Sequence, residues 1–136
     1  MDRKTVLLVE DGADDERLAL RAMHAAQASV DVMVANSGEQ ALDLINGGRV
    51  PSLIVLDLKL PGLSGHEVLS QVRSGHKTRN TPVVILSCSD DIKDVNQSYL
   101  LGANSFVRKS TDFNEFAATI EQLMHYWLNV NLADSR

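Results

Sequence analysis

Short apolar runs alternate along this chain with stretches whose apolar residues recur at helical spacing. Val6–Val9 is a β-branched and leucine run that stops at Glu10-Asp11. Asp14-Asp15-Glu16 then opens a helix with Leu18, Ala22, Met23 and Ala26 on one side, and acids in a first turn suit the positive end of the helix dipole. Val30–Ala35 predicts a second strand. Ser37 caps a helix carrying Ala41, Leu42 and Ile45, which Gly47-Gly48 ends. Leu53–Leu56 is apolar throughout, the pattern of a strand buried on both faces, and it ends at Asp57. After the turn Leu60-Pro61-Gly62, a third helix is marked by Val68, Leu69 and Val72. Pro82–Leu86 predicts a fourth strand running into Ser87. A helix with Ile92, Val95 and Tyr99 opens at Asp90-Asp91 and is stopped by Gly102, and Ser105–Val107 is a short fifth strand before Lys109. The last helix has the clearest period, with a stripe of Phe113, Phe116, Ala117, Ile120, Leu123, Met124 and Trp127 that reads mostly as core. Asp112 and Glu115 are placed for a capping box at its start.

Five strands alternating with five helices predict an α/β fold, a parallel sheet covered on both faces. Ligands of such sheets sit at the carboxyl ends of the strands, near a switch in strand order. The first, third, fourth and fifth strands end at Glu10-Asp11, Asp57, Ser87 and Lys109, so these polar groups share one edge.

At 136 residues, with 44% hydrophobic and 23% charged residues, the chain has the size and balance of one soluble domain. A net charge of −5 with no basic patch argues against nucleic acid as the main partner. Cys88 is the only cysteine and reads as a small buried residue, with a redox role beside Ser87 as the alternative. A lone cysteine and no signal peptide predict a cytoplasmic protein, and no apolar run approaches a membrane span. The expected organisation is a receiver unit over 1–128 and a C-terminal tail over 129–136, loose from Ala133 and available to a dimer interface through Tyr126, Leu128, Val130 and Leu132.

Crowded carboxylates repel and call for a cation. Oxygen ligands from Asp11, Asp57 and a backbone carbonyl, with waters, suit Mg²⁺, and Glu10 would act through a metal-bound water. A carboxylate attacks phosphorus once the incoming charge is neutralised, which makes Asp57 the candidate nucleophile. The phosphoryl oxygens would then be met by the cation, the Lys109 ammonium and the Ser87 hydroxyl with nearby backbone N–H groups.

On these residues the chain resembles the response-regulator receiver family from about Val6 to Trp127. The matching stretches are Val6-Leu7-Leu8-Val9-Glu10-Asp11, Leu56-Asp57-Leu58-Lys59-Leu60-Pro61-Gly62, Ser64-Gly65, Val84-Ile85-Leu86-Ser87, and Gly102-Ala103-Asn104-Ser105-Phe106-Val107-Arg108-Lys109. The resemblance implies strand order 2-1-3-4-5 in a flavodoxin-like receiver. It implies Asp57 as phosphoacceptor from a sensor histidine kinase or phosphotransfer protein, Mg²⁺ at Asp11, Asp57 and the Lys59 carbonyl, phosphate contacts from Ser87 and Lys109, and Ser87 with Phe106 as the switch pair. Gly102-Ala103-Asn104-Ser105, Asp112-Phe113 and Tyr126-Trp127-Leu128 look like the single-domain regulators paired with phytochrome-type kinases, a subgroup that dimerises through its C-terminal elements. Output is expected through a downstream protein target, with no enzyme activity beyond the chain's own phosphotransfer and dephosphorylation.

Some positions depart from the family pattern. Ser110 stands where a proline joined by a cis bond usually follows the lysine, so either a strained cis bond or a trans bond with Lys109 re-aimed is expected. Lys59 is placed to reach Glu10 or the phosphate and compete with Mg²⁺. Gly12 leaves the next loop less fixed, and Phe106 replaces a frequent tyrosine. The competing readings are a phosphate-independent binding module and an aspartate-nucleophile phosphatase. The phosphatase usually carries a second aspartate where this chain has Lys59. His24, His66, His76 and His125 lack metal-ligand spacing and read as surface or packing residues.

Overall fold

The computed structural model describes residues 4–133. Strands β1 (Thr5–Val9), β2 (Asp31–Ala35), β3 (Leu53–Leu56), β4 (Val83–Ser87) and β5 (Ser105–Arg108) alternate with helices α1 (Ala13–Ala26), α2 (Gly38–Asn46), α3 (Gly65–Ser74), α4 (Ile92–Leu100) and α5 (Phe113–His125). A π-helical turn, Tyr126–Val130, extends α5. The sheet is parallel, in the order β2-β1-β3-β4-β5, as the resemblance implied.

The apolar pattern explains the layering. Every residue of β1, β3 and β4 is buried, whereas the edge strands β2 and β5 are mostly half-buried. Successive side chains of a strand point to opposite faces. Val6 and Leu8 therefore pack with Met23, Ile120, Met124 and Leu128 beneath α1 and α5. Leu7 and Val9 pack with Ala41, Val68, Leu69 and Ile85 beneath α2 and α3.

Some local expectations change. Ser37 caps α2 as predicted, accepting from the Gln40 N–H. At α5 only half of the expected box forms: Asp112 accepts from the Glu115 N–H, but the Glu115 carboxylate instead accepts from the Ser110 hydroxyl. The complete capping box, not foreseen, is Ser64 with Glu67 at α3. Phe113 is 71% exposed rather than core, because it lies in the first turn before α5 settles onto the sheet. Cys88 is exposed rather than buried, since it follows the last residue of β4. Leu128 belongs to the core, while Tyr126, Val130 and Leu132 are exposed. Residues 134–136 of the expected tail lie outside the described residues.

Helix α4 is the least embedded element. Its one buried residue is Ser98, and Ile92 and Leu100 project to solvent. Polar contacts hold it. The Ser98 hydroxyl donates to the Asp94 carbonyl (2.7 Å) and lies 2.9 Å from His66 Nε2 of α3, so that nitrogen carries the donated proton. The Tyr99 hydroxyl accepts from the Phe106 N–H of β5 (3.1 Å).

Candidate functional site

Parallel pairing brings the carboxyl ends of β1, β3 and β4 level, with Val9 opposite Leu56 and Leu56 opposite Ile85. The residues after these ends are thereby collected at one edge. Glu10, Asp57, Ser87 and Lys109 are buried and Asp11 is exposed. Carboxylate oxygens of Glu10, Asp11 and Asp57 lie within 4.8 Å of one another. That cluster of hard oxygen donors fits a divalent cation such as Mg²⁺, which takes few protein ligands.

Each group is fixed by backbone chemistry. The Asp57 N–H donates to the Val9 carbonyl, and its Oδ1 accepts from the Lys59 N–H at 3.2 Å. One oxygen of Glu10 accepts from the Gly12 N–H (3.1 Å), a backbone bond that ties the acid to the start of the loop. Asn36 clamps the β1 exit, donating to the Glu10 carbonyl (2.9 Å) and to Glu16 (2.6 Å). Ser87 accepts from the Ser89 N–H at 3.2 Å, which leaves its own hydroxyl proton to donate. Gly65 lies so close to the Asp57 carbonyl oxygen and Leu58 Cα that a Cβ would collide with both. Only glycine lets α3 start this near the acidic residue.

Lys109 is the hub. No peptide bond among the described residues is cis, so Lys109–Ser110 is trans, one of the two expected outcomes. Its ammonium, only 5% exposed, donates to Glu10 at 2.7 Å, Asp15 at 3.0 Å and Asp57 at 3.3 Å. Burial alone would lower the lysine pKa, but the hydrogen bonds to Glu10 and Asp15 and the Asp57 charge outweigh it and hold the amine above its ordinary range. Burial raises the Glu10 pKa, which the Lys109 ammonium only partly offsets. The Lys59 side chain is instead exposed and has no ion-pair partner among the described residues. The cation beside Glu10 is Lys109.

Phe106 is half-buried and packs against the core cluster that holds Leu56, Val83 and Ile85. His24, His76 and His125 are exposed, and His66 bridges to α4 as described. Sequence reasoning missed Asp15. It sits 94 positions from Lys109, and its only signal was a place in the first helical turn after the acid pair. Arg73 was also missed. Its guanidinium, whose pKa burial lowers, donates to the carbonyls of Gly102 (2.9 Å), Arg79 (3.2 Å) and Thr81 (2.7 Å) and to the Asn104 side chain (2.7 Å).

The family model described as response regulator receiver domain matches residues 6–121. Response regulator Rcp1 of Synechocystis sp. is 30% identical over 132 residues, which cover 92% of this chain and 89% of Rcp1. The Mn²⁺-bound form of Rcp1 has a TM-score of 0.90 at 28% identity, covering 97% of this chain and 99% of that one. The phosphorylated cyanobacterial phytochrome response regulator RcpA reaches 0.94 at 29% identity, over 98% and 100% of the two chains. The bacteriophytochrome response regulator RtBRR is 40% identical with a TM-score of 0.76, over 99% of this chain and 83% of its own.

Proposed function

The chain belongs to the response-regulator receiver family, and on that premise we propose that it is a phosphorylation switch whose acceptor is Asp57. Membership makes it a module of two-component signalling, with a histidine kinase on the input side. The reading rests above all on the convergence of Glu10, Asp11, Asp57, Ser87 and Lys109 at one sheet edge, with the buried Lys109 ammonium touching Asp57.

The chemistry follows from the side chains. An Asp57 carboxylate oxygen forms the bond to phosphorus as the donor's bond to phosphorus breaks, and the electron pair leaves with the donor. Backbone and side chain hold the carboxylate still during this step, through the Lys59 N–H on one oxygen and Lys109 on the other. Lys109 then offers its ammonium to a phosphoryl oxygen, and the Ser87 hydroxyl is free to donate to another. Asp11, Asp57 and the Lys59 carbonyl would hold Mg²⁺, with Glu10 acting through a bound water, and the cation would supply neutralisation of the incoming charge. The switch pair is Ser87 and Phe106. Movement of Ser87 toward phosphate draws on the Phe106 strand, which the Tyr99 hydroxyl ties to α4.

The relationship to RcpA and RtBRR supports a phytochrome-type kinase as the donor, directly or through a phosphotransfer protein. The receiver unit is 1–128 with a tail over 129–136, and output runs to a downstream protein target. Exposed Tyr126, Val130 and Leu132 support a homodimer contact at the C-terminal end. No helix among the described residues is long and apolar enough to cross a membrane. The proposed place of action is the cytoplasm, and the net charge of −5 supports a protein rather than a nucleic-acid partner.

Intact-protein mass after incubation with acetyl phosphate and Mg²⁺ tests the proposal. One phosphoryl group is expected on the wild type and none on Asp57→Asn or without Mg²⁺. Failure with acetyl phosphate and with phytochrome-type kinases alike would favour the phosphate-independent binding module.

A further inference from the structure

We propose that Asp15 is a positioning residue that restrains Lys109 and so sets how freely the amine engages a phosphoryl group on Asp57. The proposal rests on the phosphoacceptor reading of the same site.

The lysine ammonium has three N–H donors, and three carboxylates take them. The bonds are unequal. Charge-assisted N–H···O bonds run about 2.7–2.9 Å. Glu10 at 2.7 Å and Asp15 at 3.0 Å lie in or near that range, whereas Asp57 at 3.3 Å lies beyond it. The amine is therefore drawn toward Glu10 and Asp15, at the expense of Asp57. Glu10 is fixed twice over, through its Gly12 hydrogen bond and its place at the end of β1. Asp15 differs. It stands in the first turn of α1, its side chain is 42% exposed, and Lys109 is the hydrogen-bond partner given by the geometry. A phosphoryl group on Asp57 must compete with these acids for the amine, and Asp15 is the arm that water can most readily replace.

Losing the Asp15 charge should let Lys109 lean toward Asp57. Asp15→Asn is expected to raise the rate of phosphoryl uptake from acetyl phosphate by about three- to five-fold, the scale of one partly exposed ion pair. Asp15→Glu should restore the wild-type rate.

Two further arms separate this role from bulk charge and from misfolding. In a Lys109→Ala background the Asp15→Asn acceleration should vanish, because the effect passes through the amine. An equal acceleration in both backgrounds would mean simple repulsion of the anionic donor and would overturn the proposal. In the unphosphorylated protein, the ¹⁵N signal of the Lys109 ammonium should be exchange-protected in wild type and Asp15→Glu and broadened in Asp15→Asn. An unchanged signal would also overturn it. This last readout needs no phosphotransfer, so it decides the clamp even if the phosphoacceptor reading fails.

Discussion

At the scale of single residues, the site is governed by how little room and how little spare cation charge it has. Among the described residues, Lys109 is the only cation bonded to Glu10, Asp15 and Asp57. Removing one partner of a buried ion pair leaves its counter-charges uncompensated. Lys109→Ala should therefore lower stability in Mg²⁺-free solution by about 2–3 kcal/mol, a figure reduced from the buried-pair range because Asp15 is well solvated. Part of the loss should return with Mg²⁺, through binding to the native state. Urea unfolding with and without the cation measures both. Gly65 is the matching steric constraint. In Gly65→Ala the added methyl meets the Asp57 backbone, so a loss of about 1–3 kcal/mol is expected, with a drop in phosphoryl uptake. The first is read by denaturation and the second by the mass assay. The acids, Ser87 and Lys109 were legible in sequence because each follows a short apolar run. Asp15 was not, because its partner, 94 positions away, is brought to it only by the packing of α1 against α5.

Between elements, polar ties do what apolar faces do elsewhere in the fold. The Gly102-Ala103-Asn104-Ser105 stretch stood out only as a family likeness, and the structure supplies its reason. Gly102 has φ +102°, a region that disfavours side chains, and a Cβ there would strike the Arg73 side chain. Asn104 accepts from both the Val83 N–H and Arg73. Arg73 thus fastens the end of α3 to the starts of β4 and β5. A lysine lacks the planar fork that serves several acceptors at once. Arg73→Lys should cost about 2 kcal/mol by urea unfolding and speed amide exchange at Ala103 and Asn104. Helix α4 shows the opposite economy. With Ser98 as its one buried residue, it is held by His66 and by the Tyr99–Phe106 bond rather than by a hydrophobic face. An element so lightly packed opens more readily than the core. That suits the switch proposed for Ser87 and Phe106, whose strand is tied to this helix by the Tyr99 hydroxyl.

For the molecule as a whole, a double layer of core sets what can be cut away. Leu128 lies at 2% exposure in the cluster beneath α1 and α5, beyond the residues matched by the family model. Leu128→Ala should destabilise the fold by about 2–5 kcal/mol through the cavity it leaves, measured as a fall in the denaturation midpoint. The residues past the α5 stripe are therefore divided, Leu128 serving the core while Tyr126 and Val130 face outward. The amino-acid order alone determined the α/β alternation, the burial of β3 and the collection of acids, serine and lysine at strand ends, because period and chain position are local properties. Tertiary structure alone decided which acids share the Lys109 amine, that the Lys59 side chain stays outside the cluster, that Phe113 and Cys88 are exposed, and that Arg73 ties three elements together. Those facts depend on distances between residues far apart in the chain, and only the packed sheet and its helices fix them.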